Sequence, residues 1–425
     1  MKRVLKYTLS MFAVIASWGA LIFVGLDQGW GHNRLAAEND TLGFIEAARA
    51  HAEGDLQGNL AFILIEDGQE ADGFFLSRGG KVDRDSIFQV ASLGKWLTAW
   101  GVLALVEEGR VDLDAPVSNY LTRWHLPASE HDAAQVTVRR LLSHTAGLTD
   151  GLGYDGFSDP SKRQSLEQSL TLAADASPHA GGRVIVGGVP GSSFQYSGGG
   201  YTLLQLMIEE VSGQSFASFM SERVFEPLEM DRTTFDHAQA IDLGLAENYR
   251  PDGNTEPFRW YTALAATSLF TTSDNLSKLL QAQAPGAQNP VLSAEMLALM
   301  REPQASEFGA DIWGHGTMLY AHNNQDDFII GHDGSNEPAI NTAARLDPET
   351  GDGIVVLSTG TPLLATELGG QWVFWKTGNV DSLTFASRLP SAFAVFAVGA
   401  LLITIGMILG LWLRNSRASR GRDQN

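Results

Sequence analysis

The chain of 425 residues contains no cysteine. Disulfides, thiolate catalysis, cysteine-ligated zinc and a lipidated cysteine are therefore excluded, and the composition fits an oxidising compartment in which nothing is stapled. Positive charge is also scarce. There are seven lysines, and 29 basic against 49 acidic residues give a formal net charge of −20. Seven of the basic residues lie in the two ends, 1–6 and 414–425, so the part between them is more acidic still. That balance argues against nucleic acid as a partner and against docking on anionic lipid. The ten histidines form no His-Glu-x-x-His, so no metal and no cofactor is expected, and His315 and His322 read as strand or turn residues. No internal repeat or low-complexity tract is visible.

Two long apolar runs are present. Lys2, Arg3 and Lys6 precede the first, Tyr7 to Leu26, which exceeds a usual signal-peptide core and has the length needed to cross a bilayer. An uncleaved signal-anchor is expected there rather than a cleaved signal. The second, Leu389 to Leu413, carries no charge and is followed by Arg414, Arg417, Arg420 and Arg422. With both basic flanks cytoplasmic, the body between the two spans lies outside, on the periplasmic side. The expected layout is a cytoplasmic N-terminus (1–6), a span (7–26), a linker (27–40), an extracytoplasmic domain (41–378), a second span (389–413) and a basic cytoplasmic tail (414–425).

Within the body, Asp40 to Glu53 reads as an amphipathic helix with Leu42, Ile45 and Ala48 on one side. Leu60–Glu66 and Gly73–Arg78 read as strands joined by the turn Glu66-Asp67-Gly68. Residues from 110 to about 300 carry mostly helical patterns: Val138–Leu142, Leu166–Ala173, Tyr201–Glu210, Phe216–Val224, Ser273–Gln283 and Ser293–Met300. A long glycine-rich stretch, Gly147 to Ser193, interrupts them and has the length of a substrate-facing loop. Strand character returns at Phe308–Tyr320, Asp327–Gly331, Ala339–Asp347 and Gly353–Ser358, before a closing helix at Leu364–Trp375. Strands at both ends around a helical middle predict an α/β (α+β) fold. Its antiparallel sheet, flanked by helices, is built from distant segments and holds an inserted all-helical domain at about 110–300.

Three polar stretches carry chemistry. Ser92-Leu93-Gly94-Lys95 opens a helical run from Trp96 to Glu108, and Lys95 is the one lysine with a serine three positions before it. The i,i+3 spacing puts both side chains on one helix face, where an amine can activate a hydroxyl that is otherwise a weak nucleophile. A serine in that place is also a common N-cap. Phe194-Gln195-Tyr196-Ser197-Gly198-Gly199-Gly200 contains the one tyrosine followed directly by serine. Such a phenol beside an ammonium can be held partly ionised and shuttle protons, or it can simply pack. The glycines form no phosphate loop, since no Gly-Lys-Ser/Thr follows. Gly331-His332-Asp333-Gly334-Ser335-Asn336 lies on a strand that begins a hairpin, where glycines let backbone approach a ligand and N–H groups can bind an oxyanion.

Taken in order, Ser92-x-x-Lys95, Tyr196-x-Gly198 and His332-x-Gly334 resemble the serine β-lactamase and penicillin-binding protein superfamily, especially class C β-lactamases, related esterases and D-peptidases. Leu141-Leu-Ser-His-Thr-Ala-Gly-Leu148, Pro190-Gly191 and Leu269–Asp274 extend the resemblance over residues 41–375. Lys376-Thr377-Gly378 spells the family's third motif literally, but nothing after it provides the antiparallel strand that motif needs. The resemblance implies a β-lactamase/transpeptidase-like fold and a hydrolase that forms an acyl-enzyme on Ser92. In it, Lys95 takes the Ser92 proton, Tyr196 relays protons to the leaving group, and His332 orients the substrate carboxylate or Tyr196. The oxyanion and substrate-binding groups would be Ser92, Gly198, Gly334 and Ser335. Gly198 stands where the family has asparagine and His332 where it often has lysine, which places β-lactam hydrolysis below cleavage of a D-peptide or an ester. The partner implied is a small-molecule or peptide substrate. The alternative reading is a non-catalytic or slow penicillin- or peptide-binding sensor or scaffold of the same fold.

Overall fold

The computed structural model describes residues 2–151 and 153–420, with side chains for 6–151 and 153–414. The basic residues Lys2, Arg3, Arg417, Arg420 and Arg422 lie outside the described side chains. Leu35–Thr377 form one compact unit, and the two terminal segments form another. In the terminal unit, α1 (Lys2–Asp27) packs on a long helix, α13 (Ser382–Arg420). By length and composition, Lys6–Asp27 and Ser382–Arg414 could each cross a membrane.

The body opens with α2 (Thr41–Asp55), β1 (Asn59–Glu66), β2 (Gln69–Ser77) and β3 (Ile87–Gln89). The helices that follow are α3 (Gly94–Glu107), α4 (Val138–Leu142), α5 (Leu166–Thr171), α6 (Gly198–Ser212), α7 (Phe216–Met220), α8 (His237–Asp242) and α9 (Leu264–Thr267). Next come β4 (Phe270–Thr272), α10 (Ser273–Gln281), α11 (Ala294–Met300), β5 (Ala305–Glu307) and β6 (Ala310–Trp313). The body ends with β7 (Met318–His322), β8 (Phe328–Asn336), β9 (Ile340–Leu346), β10 (Gly353–Thr359) and α12 (Leu364–Thr377).

Eight strands make one antiparallel sheet in the order β2-β1-β10-β9-β8-β7-β6-β5. The N-terminal hairpin thus joins the C-terminal strands, with Leu60 opposite Ser358 and Leu64 opposite Ile354. Nearly every residue of β1, β9 and β10 is buried. Burial along the length of these strands follows from helices on both faces of the sheet. On one face lie α2 and α12, where Phe44 stacks on Trp375 with ring centroids 4.5 Å apart. Against the other lie α3 and α10. Gly94 to Leu105 of α3 are all buried, so this helix is enclosed on every side.

Several details differ from the sequence reading, three of them with a clear local cause. Leu42 is exposed, because Asp40 caps α2 and the buried stripe is Phe44, Ile45, Ala48 and Ala52. The run Phe308–Tyr320 is not one strand. Phe308 and Gly309 take positive φ (52° and 86°) to turn β5 into β6, and a second turn at 314–317 leads into β7. The helix expected over Phe216–Val224 stops at Met220 and widens into a π-helical turn, Ser221–Phe225.

Candidate active site

The nucleophile candidate is held by backbone before any side chain matters. β3 and β4 form a separate two-stranded sheet, and directly after β3 the Val90 N–H donates to Leu269 O at 2.9 Å. The Val90 carbonyl accepts from the Thr342 hydroxyl of β9 at 2.9 Å. Ala91 then takes φ 49°, a left-handed conformation that costs a non-glycine residue energy and marks an over-determined turn. Ser92 follows in a 3₁₀ turn (Ala91–Leu93) that feeds α3. Its side chain caps nothing: the capping positions are Val90 and Leu93, neither with a side-chain cap. The N-cap reading of Ser92 is therefore not realised.

Strand β8 closes on this turn from the other side. It outruns β7, which pairs with it only from Phe328 to Gly331. From His332 to Asn336 its single strand partner is β9, and its other edge meets the Ser92 turn. Gly334 allows the approach. A Cβ there would overlap the Val90 carbonyl and stand 3.1 Å from Leu93 N. Strand alternation then divides the motif. His332 and Gly334 face the turn, while Asp333 pairs behind the sheet with buried Arg345 at 3.1 Å and accepts from the Tyr320 hydroxyl at 2.6 Å.

Lys95 is buried, and its Nζ donates to Ser92 Oγ at 3.0 Å and to Ala266 O at 2.6 Å. The Tyr196 and Tyr201 rings flank it, with centroids 5.0 and 5.6 Å from Nζ. Among the described residues no carboxylate forms an ion pair with it. Burial pushes its pKa down to about 7, opposed by the more distant charge of Asp150. A substantial fraction of Lys95 is thus a neutral amine at neutral pH, able to accept the Ser92 proton.

Tyr196 hydrogen-bonds the Ser92 hydroxyl, but burial raises its phenol above the ordinary range. Partial ionisation by a neighbouring ammonium, one of the sequence readings, is not found. In this site Tyr196 is a neutral proton donor.

His332 is also neutral, with burial and Lys95 pushing it down to about 3. Its Nδ1 donates to Asp333 O at 2.6 Å, which leaves Nε2 as a buried acceptor with no partner among the described residues. It therefore offers a substrate carboxylate no charge.

Ser335 follows at the exposed end of β8. Gly198 is buried as the first residue of α6. Its carbonyl accepts from the Thr202 hydroxyl at 3.1 Å, and the Tyr154 ring lies 3.0 Å from where a Cβ would stand. It presents no side chain to a substrate. Lys376 sits in the last turn of α12, paired with Glu66 at 3.0 Å and Asp352 at 2.8 Å, so the literal Lys-Thr-Gly is structural.

Three groups at the site were not singled out from the sequence. Ala266 supplies the carbonyl that holds Lys95. Trp313 at the end of β6 lies edge-on to His144, Tyr196 and His332 and donates to Leu142 O at 3.2 Å. His144, at φ 56°, stacks on Tyr196 with centroids 4.3 Å apart. Its Nδ1 accepts the Ser197 N–H at 3.1 Å and its carbonyl accepts the Gln195 N–H at 2.8 Å, so it grips both neighbours of Tyr196. The signal for His144 was present in Leu141–Leu148. A backbone carbonyl such as that of Ala266 leaves none.

A serine on a 3₁₀ turn thus lies beside a buried amine, with a phenol against both, an arrangement able to activate a hydroxyl. The β-lactamase family profile matches residues 48–370, and the chain belongs to that family. It is 28% identical to penicillin-binding protein 4 of Amycolatopsis lactamdurans over 71% of this chain and 80% of that protein. It is 25% identical to protein flp of Staphylococcus aureus (strain MW2) over 86% and 73%. The octameric penicillin-binding protein homologue from Pyrococcus abyssi superposes with a TM-score of 0.65 at 23% identity, covering 79% of this chain and 76% of that one. The D-amino acid amidase from Ochrobactrum anthropi SV3, complexed with L-phenylalanine, gives 0.61 at 23% identity, covering 79% and 96%.

Proposed function

We propose that the protein is a membrane-anchored, extracytoplasmic serine hydrolase that forms an acyl-enzyme on Ser92. Its substrate is an amide or ester, with D-amino-acid peptides and amides ahead of β-lactams. The observation that carries this reading is the buried contact between Lys95 Nζ and Ser92 Oγ at 3.0 Å, with no carboxylate among the described residues paired to the amine.

Ser92 Oγ attacks the carbonyl carbon while its proton passes to Lys95. The oxyanion is received by backbone N–H groups of Ser92 and Ser335, each worth on the order of 10²–10³ in rate. Tyr196 gives its proton to the departing amine or alkoxide and recovers one from Lys95. Water then cleaves the acyl ester, releasing the acid and restoring the Ser92 hydroxyl. The open edge of β8 beside Ser92 supports an extended peptide as substrate, since unpaired strand groups can pair with it. Relatives named as penicillin-binding proteins and a structural neighbour named as a D-amino acid amidase support the same bond class. The two apolar helices and their basic flanks support the anchoring and the side of the membrane.

The test is turnover of a p-nitrophenyl ester, a D-amino-acid amide and nitrocefin by the full chain in detergent, against Ser92→Ala. Ester or D-amide turnover should exceed nitrocefin hydrolysis, and all of it should vanish in the variant. Turnover that survives Ser92→Ala refutes the reading. A nitrocefin rate above the other two refutes the substrate order.

A further inference from the structure

The stretch of β8 beyond β7 has two distinguishable ends. His332 opens it, with its ring edge-on to Trp313, and Trp313 is in turn edge-on to Tyr196. A leaving group that takes its proton from Tyr196 therefore departs toward the His332 end. The acyl part of the substrate then points the other way, past Ser335 toward Asn336.

That other end is closed. By strand alternation the Asn336 side chain lies on the same face as His332 and Gly334. Its amide is fully engaged. Oδ1 accepts the Glu337 N–H at 2.9 Å, and Nδ2 donates to the Tyr261 hydroxyl at 2.7 Å and to the Thr267 hydroxyl at 3.1 Å. An amide with its oxygen and both hydrogens in use is held in one orientation. Thr267 follows directly on Ala266, whose carbonyl is 2.6 Å from Lys95 Nζ. The bridge thus ties the tip of β8 to the segment that holds Lys95. Tyr261 is buried and backed by the long loop. Gly156 there takes φ 71°, and a Cβ on it would stand 2.7 Å from Tyr261 Cε1.

We propose that Asn336 is a specificity-determining residue: bridged to Tyr261 and Thr267, it closes the acyl end of the site, so that one amino-acyl residue fits there and a longer chain does not. This deepens the hydrolase reading and rests on it. The bridge stands one residue past Ser335, about 3.4 Å along the strand, across the path of a chain continuing beside β8. Dipeptidyl and longer acyl groups meet it and are excluded by overlap. In a peptide the acyl part is the N-terminal part. The enzyme therefore releases a single N-terminal residue, and the rest of the peptide leaves on the His332 side.

The test is the early product pattern from tetra-D-alanine amide, read by mass, with the full chain in detergent. Cleavage after the first residue gives D-alanine and tri-D-alanine amide, whereas cleavage in the middle gives di-D-alanine and its amide. Wild type should favour the first pattern by at least about tenfold. Asn336→Ala, which removes the bridge, should raise the share of di-D-alanine relative to D-alanine about tenfold. Both products come from one substrate and one enzyme, so a merely structural defect lowers them together and leaves their ratio unmoved. Tyr261→Phe, which removes one of the two acceptors, should shift the ratio the same way and decides in place of an Asn336→Ala protein that does not fold. An unmoved ratio, wild-type cleavage in the middle as fast as at the first bond, or no cleavage at the first bond overturns the proposal. Fluorophosphonate labelling separates that failure from failure of the hydrolase reading. Labelling that depends on Ser92 leaves the hydrolase reading standing, and its absence removes both.

Discussion

At the scale of single residues, the site turns on a lysine that no carboxylate among the described residues pairs with. An ordinary surface lysine would stay charged and could not take a proton from serine. Lys95 is buried, with its pKa pushed down to about 7, so activity should rise through that pH as the amine becomes neutral. The expected kcat/KM profile for an uncharged ester has an acid limb near pH 7. Lys95→Arg, which stays charged, should abolish turnover at every pH, and an arginine variant with appreciable activity would remove Lys95 as the base.

The same shift has a stability consequence. Between pH 7 and 10.5 the unfolded lysine holds a proton that the folded one lacks, so this group makes stability rise with pH across that window. Lys95→Met should flatten the dependence, as denaturant titrations at pH 7 and 10 would record. The sequence offered Ser92 and Lys95 by spacing, and Tyr196 and His332 through the family resemblance of their motifs, and the fold brings the four side chains together. It could not offer their charge states. Those depend on burial by residues far away in the chain, which is why Tyr196 and His332 prove neutral.

At the scale of elements, β8 is the piece on which the site depends. Its two faces do different work because side chains alternate. His332 looks toward Ser92, while Asp333 ties the strand to Arg345, itself fully buried beneath the Tyr320 ring at 4.0 Å. Asp333→Ala would remove the carboxylate paired with that buried guanidinium and should cost on the order of 3–5 kcal/mol of stability, read from the denaturant midpoint. Gly334→Ala should act differently. It would push β8 off the Ser92 turn and reduce kcat more than it reduces the melting temperature.

The strand pattern of β8 was legible from its glycines and its hairpin. The three short elements at 305–322 were not, since turns made by Phe308 and by the Gly314–Thr317 segment carry no strong turn signature and the run around them reads as continuous strand. His144 holds Tyr196 through contacts 53 residues apart in sequence. His144→Ala should lower kcat for every substrate while leaving Ser92 in place, a loss visible as slowed but not abolished fluorophosphonate labelling.

At the scale of the whole molecule, the order of elements does the organising. An N-terminal hairpin completes a sheet otherwise made of C-terminal strands, and the Ser92 turn, the Lys95 helix, the Tyr196 segment and β8 converge where the helical middle meets that sheet. This arrangement followed from strands at both ends of the body, and the family assignment agrees with it. The identity of the acyl group did not follow. The long loop after His144 shapes its surroundings through isolated bridges, Leu148 with Val186 and Tyr154 with Ala176, instead of a repeating pattern.

The most direct test of the central claim is the mass of the intact protein after reaction with a fluorophosphonate, with the adduct mapped by proteolysis. The account predicts a single adduct on the peptide carrying Ser92, absent in Ser92→Ala and strongly slowed in Lys95→Met. An adduct on another residue, or equal labelling of all three proteins, would contradict it.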